Sequence, residues 1–161
     1  MTDTKTTLAT TADPTVAAAT AQFLSPVALG LQALAVNGKQ AHWNVRGANF
    51  IAIHELLDTV VGNAQAGADT AAERIVALGL PIDARLSTIA QKTTATAVPA
   101  GFTQWDAIVA NIVSDVDAVL VDVRAAVEGL DEIDQTSQDV AIEIQRSLEK
   151  DRWFLVAHIS G

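Results

Sequence analysis

Apolar residues recur at helical spacing along most of this 161-residue chain, and no segment alternates apolar and polar residues as a strand does. Capping and turn signals divide the pattern into four helices, which end near residues 45, 78, 128 and 158. Short turns follow the first and third helices, whereas a long connection over 80–102 follows the second, and 83–91 within it can form a short helix. This order predicts an all-α four-helix bundle with a long crossover between the second and third helices.

Two prolines set the expected start of the bundle. Asp13-Pro14 has the form of an N-cap followed by the first helical residue. A second such signal precedes Pro26, which is expected to kink or restart the helix. We therefore divide the chain into an N-terminal arm over 1–24, partly disordered or a short helix, and a bundle over 25–161.

Polar and glycine residues set the expected bounds of the last two helices. Thr103 and Asp106 have the spacing of a capping box, with Asp in place of the usual Glu, at the start of the third helix. Gly129 is expected to end that helix. Thr136 and Asp139 are expected to open the fourth helix.

The composition excludes several classes of protein. The chain carries 19 acidic against 10 basic residues, a formal net charge of -9, and no cysteine. The absence of thiols excludes a disulfide scaffold, a thiol nucleophile and thiolate metal sites, and the acidity argues against a basic nucleic-acid-binding face. Half of the residues are hydrophobic and the mean hydropathy is +0.28, which is more apolar surface than one small bundle can bury. We therefore expect a homo-oligomer.

No segment has the form of a targeting sequence or a membrane span. The apolar run over 27–36 contains Gln32 and is too short to cross a bilayer. The first residues lack the basic start and the continuous apolar stretch of a signal peptide. We therefore expect a cytoplasmic protein with no membrane partner.

Four metal-ligating side chains share one stripe of the second helix. His54, Asp58, Asp69 and Glu73 lie at about 0°, 40°, 60° and 100° around the helix axis. Carboxylates on a bundle face are costly to bury unless they meet a cation, so the stripe indicates either a metal site or exposure to solvent. Asp58 and Asp69 are about 16 Å apart along the axis, so one subunit cannot gather all four groups around one ion.

The spacing of these residues predicts a site shared by two subunits. His54 and Glu73 are equidistant from a midpoint between residues 63 and 64, and so are Asp58 and Asp69. Two copies of the helix that cross antiparallel at this midpoint bring His54 of one chain beside Glu73 of the other. Gly62 lies on the stripe and allows the backbones to approach closely.

His42 is expected to join this site from the first helix. It lies as far before the turn that separates the first two helices as His54 lies after it, so an antiparallel hairpin sets the two rings side by side. Mixed imidazole and carboxylate ligands suit iron(II), manganese or zinc. The ordinary alternative is a solvated acidic face with incidental histidines.

The sequence resembles the Dps family, the mini-ferritins first described as DNA-binding proteins of starved cells. The resemblance lies in KQAHWNVRGANF over 39–50, in HELLD over 54–58, in the segment over 69–74, and in Trp153. It implies a ferritin-like bundle that assembles into a hollow cage of 12 subunits. It also implies a ferroxidase centre at the two-fold interface, made of His42, His54 and Asp58 of one subunit with Asp69 and Glu73 of the other.

The resemblance implies an activity and a role for each of these residues. Members of the family oxidise Fe(II), preferably with hydrogen peroxide, store Fe(III) mineral inside the cage and protect against oxidative stress. Asp58 and Glu73 would hold or bridge the iron, the two histidines would anchor it, and Asp69 would support it. Trp43 and Trp153 would receive stray oxidising equivalents, and core packing is the alternative for both tryptophans.

The acidic residues are concentrated in one part of the chain. Residues 106–143 contain ten acids and one base, so the remaining residues sum to no net charge. In a cage this segment would line pores and the inner wall and attract cations. The candidate pore or nucleation residues are Asp131, Asp134, Asp139 and Glu143.

DNA binding is expected to be weak or absent. Residues 1–24 contain one base, Lys5, against Asp3 and Asp13, and no Lys or Arg follows Trp153. Few counterions would therefore be released on contact with DNA. The alternative functions are a nucleoid-compacting DNA binder and a metal-assisted amide or ester hydrolase at the same interface site.

Overall fold

The computed structural model describes residues 12–160 and shows four long helices joined by two short turns and one crossover. The elements are α1 (Pro14–Asn44), β1 (Val45–Arg46), α2 (Phe50–Ala77), α3 (Leu86–Lys92), β2 (Thr103–Gln104), α4 (Trp105–Leu130) and α5 (Gln135–Ile159). α1 packs against α2 and α4, and α5 packs against α4 and α2, which closes a bundle. The predicted four-helix bundle is confirmed, and the crossover between α2 and α4 carries the short helix α3.

The first helix begins where its cap predicts but does not restart at the second proline. The Asp13 carboxylate accepts a hydrogen bond of 2.7 Å from the Thr15 amide, and Pro14 is the first helical residue. α1 then continues through Pro26 to Asn44 without interruption. The expected restart at Pro26 is therefore wrong, because one helix runs across it.

Burial on both sides of the proline explains the continuous helix. Ala17, Thr20 and Leu24 are buried before Pro26, and Val27 is buried directly after it. Burial of the flanking turns outweighs the one backbone hydrogen bond that a proline removes. Of the proposed arm, 14–24 is therefore part of α1, and 1–11 lies outside the described residues.

The core is aliphatic and is drawn from all four long helices. Its largest fully buried side chains are Leu24, Leu31, Leu34, Ile53, Leu57, Ile75, Ile108, Ile112, Leu120, Leu130, Leu148 and Leu155. By length and composition alone α1 could cross a membrane, but half of its most apolar window is buried inside the chain, as in a core helix.

Glycines allow close helix contacts at two points. A Cβ atom on Gly38 would lie 2.6 Å from Val61 Cγ2, so α1 and α2 pack backbone to side chain there. Gly129 lies inside α4, which continues to Leu130, and the ring of Phe23 occupies the space that a side chain on Gly129 would need. The expectation that Gly129 ends the helix is wrong, because its role is to receive Phe23 from α1.

A short parallel strand pair fixes the end of the crossover. Val45 pairs with Thr103 and Arg46 with Gln104, and the Arg46 guanidinium lies 3.8 Å from the centroid of the Phe102 ring. The sequence showed no alternation because each strand has only two residues. The predicted capping box is wrong, since Thr103 is in extended backbone and α4 begins after Gln104 without a side-chain cap.

A polar cluster joins the start of α5 to α1 and α2. Asp134 caps α5 by accepting a hydrogen bond from the Ser137 amide at 3.1 Å. Arg74 donates to Asp134 at 2.7 Å and to the Ser137 hydroxyl at 2.9 Å, and the Thr20 hydroxyl donates to the same Ser137 oxygen. α5 therefore begins at Gln135, ahead of the expected Thr136.

Substituting Asp134 by Ala is expected to lower the free energy of unfolding by about 2 kcal/mol at neutral pH, through loss of the cap and the Arg74 contact. Burial opposes ionisation, but hydrogen bonds from Ser137 and Arg74 lower the pKa of Asp134. The contribution of ionised Asp134 to the free energy of unfolding is therefore fully present above the ordinary carboxyl pKa of about 4, and it is lost as the pH falls below that value.

Thermal or denaturant unfolding of D134A and wild type between pH 3 and pH 8 measures this difference. The matched control is E132A, because Glu132 is exposed and belongs to the same turn. A difference that does not shrink in acid would contradict the assignment.

Candidate metal centre

The turn between α1 and α2 brings His42 and His54 face to face. Gly47 in this turn has φ of +112°, a conformation that favours glycine. The two imidazole rings stack with centroids 3.6 Å apart and planes inclined by 21°. The hairpin geometry expected from the sequence therefore sets these two side chains together.

Each histidine is held by the backbone of the other. His42 Nδ1 lies 2.8 Å from the carbonyl oxygen of His54, and His54 Nδ1 lies 3.0 Å from the carbonyl oxygen of His42. A carbonyl oxygen can only accept, so both Nδ1 atoms donate and carry the proton. In the neutral form of each ring the lone pair is then on Nε2, and this is the form of imidazole that ligates a metal ion.

Asp58 lies beside this histidine pair and forms an ion pair with a lysine of α1. Its Oδ1 atom lies 3.4 Å from His42 Nδ1 and 2.5 Å from Lys39 Nζ. The hydrogen bond from Lys39 is the main cause that lowers the pKa of Asp58. The carboxylate is half exposed and remains charged, so a metal ion that binds its Oδ1 atom would compete with the Lys39 ammonium.

Asp69 and Glu73 lie on the same helix but away from the histidines. Both side chains are exposed and lie in the last third of α2. Asp69 is about 16 Å from Asp58 along the helix axis. Within residues 12–160 of one chain, no three histidine or acidic side chains form a group that could hold a metal ion. One chain therefore presents the five predicted ligands as two separate sets.

Sequence reasoning missed two apolar residues on this stripe. Ile51 and Val76 are 61% and 56% exposed, respectively, at the two ends of α2. They are equidistant from the same midpoint between residues 63 and 64 as the ligand pairs, and this signal could have found them. Near the middle, a Cβ atom on Gly62 would meet nothing within 4 Å. α2 thus exposes an open centre flanked by polar ligands and apolar ends.

The two tryptophans lie on the surface of the chain. Trp43 is 63% exposed and Trp153 is 65% exposed, so neither belongs to the core of one subunit. Trp153 contacts Phe154 edge to face, with ring centroids 4.8 Å apart. Across residues 12–160 no ring contact joins Trp43 to Trp153.

The four candidate pore or nucleation residues have different surroundings. The Asp134 carboxylate accepts hydrogen bonds from the side chains of Arg74 and Ser137. The Asp131 carboxylate accepts a hydrogen bond of 2.9 Å from the Gln138 side-chain amide. Asp139 is exposed, and Glu143 borders a cavity of about 200 Å³ between α2 and α5. They form no metal-binding group within the described chain.

The four-helix bundle with its crossover has the fold of a ferritin-like protein, and the ferritin-like domain family matches residues 30–161. The DNA protection during starvation protein of Agrobacterium fabrum is 36% identical over 127 residues, 78% of each chain. The structure of Dps from Microbacterium arborescens in the high iron form is similar with a TM-score of 0.93 at 71% identity, covering 95% of this chain and 100% of that one. A tetragonal form of Mycobacterium smegmatis Dps has a TM-score of 0.86 at 31% identity, covering 91% and 90%. The chain belongs to the Dps family.

Proposed function

We propose that this chain is an iron-storage and detoxification protein that oxidises Fe(II), preferably with hydrogen peroxide, and stores Fe(III) inside a cytoplasmic cage of 12 subunits. The observation that carries the proposal is the histidine pair locked by reciprocal backbone hydrogen bonds beside Asp58. A pair held in this way has both Nε2 lone pairs ready before any metal arrives. The high iron form of the M. arborescens relative supports iron as the substrate.

The centre is completed by a second subunit across a two-fold axis at the middle of α2. Antiparallel crossing brings Asp69 and Glu73 of the partner to the histidine pair, and the open position at Gly62 permits the close approach. The same operation sets Ile51 against Val76 at both ends of the stripe. Burial of these four apolar side chains would contribute several kcal/mol to the dimer.

The ligands divide the work at the centre. The neutral histidines bind iron without adding charge, whereas Asp58 and Glu73 balance the charge of the ion and can bridge two ions. The partner's Asp69 supports the binding of the iron. Two Fe(II) ions each give one electron to one hydrogen peroxide molecule. Its O–O bond breaks, and with two protons from water the two oxygens become two water molecules, so that no hydroxyl radical leaves the site.

The acidic segment 106–143 directs iron toward the cage interior. Asp139 and Glu143 are exposed, and Glu143 borders the cavity between α2 and α5 with Asn63, Thr70 and Ser147. Exposed carboxylates of one sign raise the local concentration of cations. Asp131 serves the same end, while Asp134 acts in capping and in binding Arg74.

Protection of DNA, named in the relatives, follows here from removal of iron and peroxide rather than from coating the duplex. Lys5 is the one base in the first 24 residues, so this segment offers little positive charge to DNA phosphates. Trp43 and Trp153, both exposed on one chain, would take up stray oxidising equivalents.

The test mixes the assembled protein anaerobically with Fe(II) and then adds hydrogen peroxide or air. Peroxide is expected to oxidise iron much faster than air does, and the ferric product is expected to stay with the protein in size-exclusion chromatography. Native mass spectrometry is expected to give 12 subunits. Oxidation no faster than in protein-free buffer would overturn the proposal.

A further inference from the structure

A second cavity lies between α1, α4 and the crossover, and none of its lining residues belongs to α2 or to the proposed iron ligands. It has a volume of about 380 Å³, is partly open to solvent, and is bordered by α1, α4, the end of α3 and the segment that follows α3. Its apolar wall is formed by Pro26, Leu29, Leu34, Ala118 and Val119. This size and lining are typical of small-molecule sites, which combine apolar walls with a few polar groups.

A buried carboxylate holds the walls of this cavity in place. Asp115 on α4 accepts hydrogen bonds of 2.6 Å from both the amide and the hydroxyl of Thr96, and one of 2.7 Å from the Asn37 side chain on α1. The Asn37 amide also donates to the Thr96 carbonyl at 3.1 Å. The crossover, α1 and α4 are thereby tied together, so the cavity exists before any ligand enters.

Asp122 lies two turns further along α4 on the same wall and differs from Asp115 in having no partner. It is half-buried, and within residues 12–160 it forms no hydrogen bond or ion pair. Burial raises the pKa of Asp122. Lys92, in the crossover, also lines the cavity, but its side chain is exposed and forms no ion pair with Asp122. Asp122 is therefore a carboxylate facing an apolar cavity without a cation.

We propose that this cavity binds a small organic cation, a protonated primary amine with an aliphatic body whose ammonium group pairs with Asp122. An ammonium ion compensates the carboxylate that burial leaves unpaired, and the aliphatic body covers the apolar wall. A metal ion does not fit, because one free carboxylate with the hydroxyl groups of Ser25, Thr93 and Thr94 supplies too little negative charge to replace its hydration shell. The site is independent of the proposed iron centre.

Binding of hexylammonium to the assembled protein, measured by calorimetry and by ligand-observed NMR, tests the proposal. Saturable binding is expected, and the Asp122→Asn variant is expected to weaken it about tenfold or more through loss of the charge pair. The matched control is Glu128→Gln, since Glu128 is an exposed acid on the same helix that does not line the cavity. It is expected to bind as wild type does.

Two further measurements separate recognition of the amine from general apolar binding. Ala118→Leu fills the cavity and is expected to abolish binding, while native mass confirms that the variant still assembles. Lys92→Ala removes the neighbouring cation and is expected to leave binding unchanged or tighter. The proposal would be overturned if hexylammonium bound Asp122→Asn as tightly as wild type, or if it bound Lys92→Ala more weakly than wild type. Preference of the cavity for hexanoate or hexanol over hexylammonium would also overturn it.

Discussion

Co-expression of Asp58→Ala and Glu73→Ala subunits in equal amounts is expected to restore about one quarter of the wild-type rate of fast iron oxidation, although each variant alone loses nearly all of it. In random assembly half of the dimers are mixed. In a mixed dimer one centre contains both substitutions, while the other takes Asp58 from one chain and Glu73 from the other and is intact. The effect follows from the separation of the ligands into two sets along α2.

Stopped-flow absorbance of the ferric product after peroxide addition measures the restored rate. Glu55→Ala is the control, because Glu55 is an exposed acid on the same helix and is not among the proposed ligands. Mixing the two purified variants without reassembly is expected to restore nothing. If the co-expressed material is as inactive as either parent while its native mass is unchanged, the shared centre is wrong.

Asp115→Ala is expected to lower the free energy of unfolding by about 3 kcal/mol, the second large effect that the structure predicts. The substitution removes the acceptor for the Thr96 amide, the Thr96 hydroxyl and the Asn37 side chain at a position that is 1% exposed. Buried donors left without a partner cost more than the original bonds contribute. The crossover is then expected to detach from α1 and α4 first.

The matched comparison is Asp122→Asn, which lies on the same helix and the same cavity wall. Because burial raises the pKa of Asp122, its ionised form opposes folding at neutral pH, and the substitution is expected to be neutral or stabilising. Thermal unfolding at one fixed protein concentration measures both variants, since assembly contributes to the midpoint. Equal losses for the two variants would contradict the role given to Asp115.

Local signals in the sequence predict those parts of the fold that depend on neighbouring residues. The start of α1 follows from the preference of Asp for an N-cap and of Pro for the first helical turn. The meeting of His42 and His54 follows from the position of one turn. The shared stripe of α2 follows from helical periodicity alone.

Long-range contacts decide the features that sequence reasoning missed. Pro26 stays inside α1 because residues on both sides of it are buried, and Gly129 stays inside α4 because Phe23 needs the space. Thr103 is extended because it pairs with Val45, far away in sequence. Lys39 and Asp58 likewise meet through packing of α1 on α2, which no local pattern of charges reveals.

The separation of the ligands along α2 has a consequence for newly synthesised protein. In a chain that has folded but not yet found a partner, Asp58 pairs with Lys39, and within residues 12–160 no three histidine or acidic side chains form a metal-binding group. Such a chain lacks the complete set of ligands of the proposed iron centre. Under the proposed function, iron oxidation would therefore begin only when two subunits pair, and a lone chain would make no ferric product.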